Sequence, residues 1–369
     1  MDNKPLILVE NASPNVLNSI KESKDSVSNQ TFENFINTPL VSIVLPAYNR
    51  EQYITASIES ILQQTYVNWE LIIVDDCSTD NTLNIIQSFK DSRIKVLKND
   101  INSGVSITLN KAISFASGDY IFRQDSDDIS LPDRLKKQIL FLETHRHIDI
   151  CGAWMQVMNE EIILKYPEFC NQIEAAMLLS YPMASPSIVF RKNVFKKFRF
   201  QNDLRSGEDY QLLSEAITYF KAYNLQEVLV LYRKHDDQIS THHFNSQRMA
   251  DIEIQLSILK KIDFDTQLYN DDFIKKMFFI NEYFTVKEFS LYLKFLKEII
   301  KLNKKQRVFD TVELKKVVNE IKNQLIFKIY FHSNFCEIDK NWRINALKKL
   351  PFSDLLFVLK LKIKERLKF

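Results

Sequence analysis

Apolar positions change their spacing several times along this chain, and each change marks an element. Residues 1–38 show little periodicity and are rich in Asn, Ser, Lys and Glu, the texture of a poorly ordered or loosely docked arm. From Pro39 the pattern sharpens. Val41-Ser42-Ile43-Val44-Leu45 is a short, nearly continuous apolar run that predicts a buried strand, and Ile54, Ile58, Ile61 and Leu62 then recur at helical spacing. The alternation repeats. Strands are expected at Glu70–Val74, Ile94–Leu97 and Asp119–Phe122. Helices between them carry Leu83, Ile86 and Phe89, and then the stretch from Val105 to Ala116. Asp80 is placed to cap the helix after the second strand, and Gly118 to end the helix before the fourth. Strands alternating with helices in this way predict βαβ units, an α/β fold with a mostly parallel sheet flanked by helices. Right-handed crossovers bring the C-terminal strand ends to one edge, where ligands bind near the topological switch point. From Cys151 to about Phe244 the pattern is less regular, and after about residue 246 it turns helical and basic. The expected organisation is an arm over 1–38, a main domain over 39–245 and a helical C-terminal extension over 246–369.

Composition narrows this picture. A chain of 369 residues exceeds the roughly 250–300 that one core serves, which fits a domain with an addition. The formal net charge is +2, so nothing global argues for a nucleic-acid partner. Cys77, Cys151, Cys170 and Cys336 show no metal-binding spacing and read as buried free thiols. The N-terminus lacks the basic start and apolar core of a secretory signal. No apolar run approaches the roughly 20 residues of a membrane span. The expected location is the cytoplasm, with peripheral attachment to the inner membrane face left open. The four glycines, Gly104, Gly118, Gly152 and Gly207, cannot form a GxGxxG loop or a P-loop. A bound diphosphate would then be met by a metal or by side chains rather than by a glycine-rich nest.

Three polar clusters share the ligand edge: Pro46-Ala47-Tyr48-Asn49-Arg50, Asp75-Asp76, and Asp125-Ser126-Asp127-Asp128. In an extended segment Asp125 and Asp127 point the same way, and two convergent carboxylates suit a hard cation such as Mg2+ or Mn2+. An acidic loop preceding a helix capped by Asp128 or Ser130 is the alternative. Asp75 can accept hydrogen bonds from a base or ribose, while Asp76 serves equally well as a turn residue. Tyr48 can stack on a base or pack beside Pro46. Glu208-Asp209 opens a helical run after Gly207, so the pair either favours the helix N-terminus or supplies a general base. His235 can ligate a metal or pair with phosphate, or simply pack. Arg233 and Lys234 can face a leaving diphosphate or remain solvated.

Taken together these strings resemble the family 2 glycosyltransferases of GT-A fold over about residues 40–240. The strings are Val41–Asn49, Ile73–Asp80, Asn102-Ser103-Gly104, Ala116–Ile121, Asp125–Asp128 with Pro132, Gly207–Tyr210 and Tyr232–His235. The resemblance implies inverting transfer of a sugar from a nucleotide-sugar donor by direct displacement, with UDP the default nucleotide. It implies a donor site of Pro46, Tyr48, Asn49, Arg50, Asp75, Asn102, Asp125, Ser126 and Arg233. It implies a Mn2+ or Mg2+ site of Asp125, Asp127 and His235, with Asp127 the direct ligand. Asp209 matches the family's base, with Glu208 beside it. Gln124 departs from the family, where an apolar residue, usually Leu, is common. By analogy the acceptor is a glycan or a lipid-linked glycan in surface-polysaccharide or lipooligosaccharide synthesis. The sugar is a hexose or N-acetylhexosamine. Leu356, Leu359, Ile363 and Leu367 share a helical face beside Lys360, Lys362, Lys364, Arg366 and Lys368. Such a helix either lies on an anionic membrane or packs on the domain. A sugar-phosphate nucleotidyltransferase and a non-catalytic sugar-nucleotide-binding protein are the rival readings.

Overall fold

A computed structural model describes residues 38–359, apart from 203, 205, 236–237, 239–243, 280–284, 332–344, 349, 352–353 and 357. Most of the expected N-terminal arm and the C-terminal residues from Lys360 onward therefore lie outside the described residues. The chain divides into two compact units. One runs to Ile173 and resumes at Pro182–Arg248; the other comprises Glu174–Tyr181 and the chain from Met249 onward.

The first unit is built on a nine-stranded mixed sheet. Its parallel half is β1 (Val41–Ala47), β2 (Trp69–Asp75), β3 (Ile94–Lys98) and β4 (Tyr120–Arg123), in spatial order β3-β2-β1-β4. Helices α1 (Ile54–Leu62), α2 (Thr82–Ser88) and α3 (Val105–Ser114) make the crossovers. β2 is buried at every position, and β1 at every position but Pro46, because helices cover both faces of the sheet. Ile54, Ile58 and Ile61 of α1 pack on Val41, Ile43, Leu45, Leu71 and Ile73. The chain order reverses between β1 and β4, which sets the switch point beside β1.

Gly118 does not end α3 in the expected way. The helix closes at Phe115, and the positive-φ glycines are Gly104 and Gly207. A Cβ on Gly118 would stand 2.6 Å from the Leu40 carbonyl oxygen and 2.7 Å from the Ser42 nitrogen. Its role is close backbone approach at the start of β1. Asp80 acts from one residue before the N-cap, Asn81: Oδ1 accepts from the Thr82 N–H at 2.9 Å, and Oδ2 accepts from the Glu51 N–H at 3.1 Å.

Beyond β4 the sheet changes direction. Strand β5 (Ile129–Ser130) and helix α4 (Arg134–Thr144) lead to β6 (Ile150–Val157), which is followed by β7 (Ile163–Leu164) and α5 (Cys170–Ala176). Then come β8 (Val189–Arg191), α6 (Val194–Lys197), α7 (Glu208–Ala216) and β9 (Ala222–Tyr232). β8 pairs antiparallel with both β4 and β6, while β9 runs parallel to β6 and antiparallel to β5. The stretch that looked least regular thus holds the two longest strands of the sheet.

The second unit is helical: α8 (Phe244–Leu259), α9 (Asp271–Phe278), α10 (Val286–Gln306) and α11 (Thr311–Phe331). A capping box starts α10, with Thr285 and Glu288 bonding each other's backbone N–H groups. Among the described residues no helix is long and apolar enough to cross a membrane.

Candidate active site

The loops after β1 and β2 are stitched into one surface. Asn49 takes a left-handed conformation at φ 51°, tolerable for Asn. Its Oδ1 accepts from the Thr79 N–H at 2.8 Å, and its own N–H donates to Ser78 Oγ at 3.0 Å. The Arg50 N–H donates to Thr82 Oγ1 at 2.7 Å. Asn49 therefore shapes the loop with both side chain and backbone. Pro46 is partly buried in β1, and Tyr48 keeps 39% of its surface exposed at the same strand end.

The two neighbouring aspartates have different jobs. Asp76 is bonded on both oxygens: Oδ1 accepts from Asn99 Nδ2 at 2.7 Å and the Ser103 N–H at 2.9 Å, and Oδ2 from the Gly104 N–H at 2.8 Å. It fixes the 101–104 loop, on which Asn102 stands exposed. Asp75 is fully buried, and only Oδ2 is occupied, by the Ser78 N–H at 3.2 Å. Its Oδ1 is buried without a partner. A buried acceptor with no donor carries a desolvation cost that a bound N–H or O–H would relieve.

Residues 125–128 form a turn, closed by the Asp128 N–H donating to the Asp125 carbonyl at 3.3 Å. The segment is not extended, so Asp125 and Asp127 are not forced onto one point. Asp125 Oδ1 accepts from Arg123 Nε at 2.9 Å, whereas Asp127 Oδ2 lies 3.0 Å from His235 Nε2 and 3.4 Å from Arg50 Nε. The pairing of β5 with β9 brings the second strand's exit to this turn. There Arg233 donates its N–H to Asp128 Oδ1 at 2.9 Å and its Nε to the Asp127 carbonyl at 3.0 Å. His235 packs against Tyr53 with ring centroids 4.5 Å apart and planes tilted by 31°. Lys234 turns to Glu160 at 2.9 Å. Ser126 is buried within the turn. Burial, then repulsion from Asp127 and Asp125, pushes the Asp128 carboxyl well above its ordinary range. Neither Asp128 nor Ser130 caps α4. Asp128 serves Arg233, and Ser130 lies in β5.

Glu208 and Asp209 occupy the first turn of α7, after Gly207 at φ 80°. The helix N-terminus expected for the pair is observed, and that helix end also faces the 125–128 turn through Arg123. Arg123, at the end of β4, is 7% exposed and reaches across the gap. Its Nη1 donates to Asp209 Oδ1 and lies 3.5 Å from Glu208 Oε1, while its Nε holds Asp125. Burial alone would lower the Arg123 pKa, but Asp125, Asp209 and Glu208 outweigh it and leave it well above its ordinary value. Burial, then the charge of Asp209, raises Glu208 to about 7. Burial also raises Asp209, opposed by Arg123. Arg123 opposes the rise in both, and its hydrogen bond goes to Asp209.

Arg123 is a site residue that the sequence reading missed, and its own backbone is braced from behind. Gln124 is fully buried, with Oε1 accepting from Ser130 Oγ at 2.6 Å and Arg134 Nη1 at 3.0 Å. Its Nε2 donates to the Asp128 carbonyl at 2.9 Å and to Ser57 Oγ at 3.1 Å. Arg134, also buried, donates Nη2 to the Arg123 carbonyl at 2.9 Å. Burial lowers the Arg134 pKa to about 9. The departure at Gln124 is thus one member of a polar network beneath the turn, where Leu could make none of these bonds.

Asp127 and His235 hydrogen-bond to each other, and the same two atoms could instead hold a small cation between them. Two adjacent ligands of an octahedral ion, each at roughly 2.1 Å, stand roughly 3.0 Å apart, which is the separation found here. Among the described residues no group of three or more His, Cys, Asp or Glu side chains is disposed to hold a metal. A cation here would therefore complete its sphere with ligand oxygens and water.

Comparison with known proteins identifies the family and the fold. Residues 42–204 match the model described as glycosyl transferase family 2. A Haemophilus influenzae protein named as an uncharacterized glycosyltransferase is 33% identical over 266 residues, which is 67% of this chain and 82% of the relative. The chain belongs to the family 2 glycosyltransferases. An Escherichia coli member of similar kind, the UDP-Glc:α-D-GlcNAc-diphosphoundecaprenol β-1,3-glucosyltransferase WfgD, is 33% identical over 207 residues, 56% of this chain and 81% of the relative. The crystal structure of Staphylococcus aureus TarS residues 1–349 with UDP-GlcNAc shares the fold. Its TM-score is 0.52 at 23% identity, covering 83% of this chain and 90% of that one. Family 2 membership removes the nucleotidyltransferase alternative. The β1 exit, the Asp75 carboxylate, the 125–128 turn and the α7 N-terminus all gather at the C-terminal edge of the parallel strands.

Proposed function

We propose that this glycosyltransferase moves a hexosyl or N-acetylhexosaminyl group from a UDP-sugar to a hydroxyl of a glycan or lipid-linked acceptor, with inversion, in surface-polysaccharide or lipooligosaccharide synthesis. The observation that carries this reading is the pair of buried stations on either side of Arg123, the donor turn at Asp125–Asp128 and the carboxylates at Glu208-Asp209. The unpartnered Asp75 oxygen offers an acceptor to a base N–H such as that of uracil, and exposed Tyr48 offers a ring to its face. Asn49 and Asn102 line the same donor side, with Pro46 beneath. Arg50, Ser126 and Arg233 border the diphosphate region. A divalent cation, Mn2+ or Mg2+, held by Asp127 and His235 with Asp125 nearby, would neutralise charge on the leaving nucleoside diphosphate. In the transfer, the acceptor oxygen bonds to the anomeric carbon as that carbon's bond to the diphosphate oxygen breaks. The hydroxyl proton passes to Asp209. Glu208, raised to about 7, stays largely protonated in mildly acidic solution and can donate a hydrogen bond.

The test separates binding from chemistry. Asp209→Asn should bind UDP with near wild-type affinity and lose transfer by about 10²–10⁴-fold, the range for a positioned base. Asp127→Ala should weaken UDP binding when Mn2+ is present and change it little in chelator. Full transfer activity in Asp209→Asn would falsify the base assignment.

The E. coli relative is named for an undecaprenol-linked acceptor, and a lipid-linked acceptor supports work at a membrane surface. Leu356 and Leu359 are 45% and 55% exposed; the basic residues that follow lie outside the described region. Deleting residues 355–369 should shift the protein from membrane to soluble fractions, and unchanged partitioning would refute the membrane role.

A further inference from the structure

Arg123 joins the 125–128 turn to the first turn of α7. Its Nε holds the donor turn through Asp125 at 2.9 Å, while its Nη1 holds Asp209 and neighbours Glu208 at 3.5 Å. The residue cannot drift. Its N–H donates to the Ile188 carbonyl at 3.0 Å, and its carbonyl accepts from Arg134 Nη2 at 2.9 Å. The guanidinium is a rigid planar fork, so its two branches set a distance and an angle between the carboxylates they hold. Lysine, with a single ammonium, could neutralise one of these carboxylates and could not register both.

We infer that Arg123 is a positioning residue for sugar transfer: it aligns the Asp209 carboxylate with the donor turn, so that the base meets the acceptor hydroxyl where the anomeric carbon is presented. This rests on Asp209 being the base. Arg123 acts through Asp209 and Asp125 and need not touch either substrate. Reaction rates are steep in such alignment, and a misplacement of about 1 Å can cost about 10²-fold. Asp209 would still bind a proton without Arg123, but from an unfixed rotamer.

The experiment compares wild type, Arg123→Gln, Arg123→Lys, Asp209→Asn and the double variant Arg123→Gln/Asp209→Asn, as full chains. Each is melted, titrated with UDP in the presence of Mn2+, and assayed for transfer. The expected results are a kcat loss of about 10²-fold in Arg123→Gln, a smaller loss of about 10-fold in Arg123→Lys, and a donor KM and UDP affinity within about threefold of wild type. The double variant should be no slower than Asp209→Asn, because a group that acts through Asp209 has nothing left to align. A residue that merely supports the fold would add its loss to that of Asp209→Asn and move KM together with kcat. Additive losses, or wild-type kcat in Arg123→Gln, overturn the proposal while leaving the base assignment standing. If Asp209→Asn transfers at the wild-type rate, the base assignment fails and the proposal falls with it. Should Arg123→Gln fold poorly, Arg123→Lys combined with Asp209→Asn gives the same comparison with the buried charge retained.

Discussion

Asp75 and Asp76 are adjacent, acidic and buried, yet their substitutions should separate cleanly. In Asp76→Asn one carboxylate oxygen becomes an NH2. On the Oδ2 side that group faces the Gly104 N–H, and on the Oδ1 side it faces Asn99 Nδ2 and the Ser103 N–H. Either orientation sets donor against donor and removes at least one charge-assisted hydrogen bond. Such a bond contributes about 1.5–3 kcal/mol, so a loss of about 2–3 kcal/mol is expected. For a domain of this size that corresponds to a melting temperature lower by about 5–10 °C. In Asp75→Asn the amide oxygen can keep the Ser78 N–H, and the NH2 takes the place of an oxygen that already lacked a partner. Its melting temperature should stay within about 2 °C of wild type. Its UDP affinity should fall by about 10–100-fold, because an incoming N–H would meet a donor in place of an acceptor. Thermal denaturation of both variants, followed by calorimetric titration with UDP, measures the two axes. If Asp76→Asn melts with wild type while Asp75→Asn unfolds early, the division of labour read from the hydrogen bonds is wrong.

Two further outcomes follow from local geometry. The folded protein holds the Glu208 proton up to about 7, against an ordinary 4.5. The unfolded chain releases that proton first, so Glu208 supports folding fully below its ordinary value, and this support is lost as pH rises through about 7. Urea unfolding over a pH series should show Glu208→Gln losing less stability than wild type across this window; parallel curves would refute the linkage. Cys77 sits at φ 62°, a left-handed conformation that strains a side-chain-bearing residue. Cys77→Gly should therefore raise stability by about 0.5 kcal/mol, after the added freedom of the unfolded glycine is subtracted. A destabilised Cys77→Gly would show that the thiol contact with the Asp100 carbonyl at 3.4 Å outweighs the strain.

Strands β1, β2 and β4 were legible because each carries a compact apolar run, the mark of a strand covered on both faces, and β3, which exposes both its lysines, because it continues the strand–helix alternation. β9 was not. Gln226 and Glu227 are exposed in its middle, and the β6–β9 register shifts around Trp154, so alternation is broken where the ladder continues. Gly118 misled in another way: its need for space is created by Leu40 and Ser42, more than seventy positions earlier. The site divides along the same line. Asp75, Asp127 and Asp209 could be named from their strand and helix ends. Arg123 could not, because Asp209 lies 86 positions away. A usable signal did exist, since an arginine closing a buried strand beside an acidic turn has to find a partner. Pairing also recasts the shortage of glycine. Arg123 is taken by Asp125 and Asp209, Arg233 by the Asp127 carbonyl, and Arg50 stands against Asp127. A diphosphate entering this edge thus meets cations already engaged with carboxylates and carbonyls. It must either displace one of them or bring a counter-charge of its own, and the 3.0 Å spacing of Asp127 and His235 suits the second course.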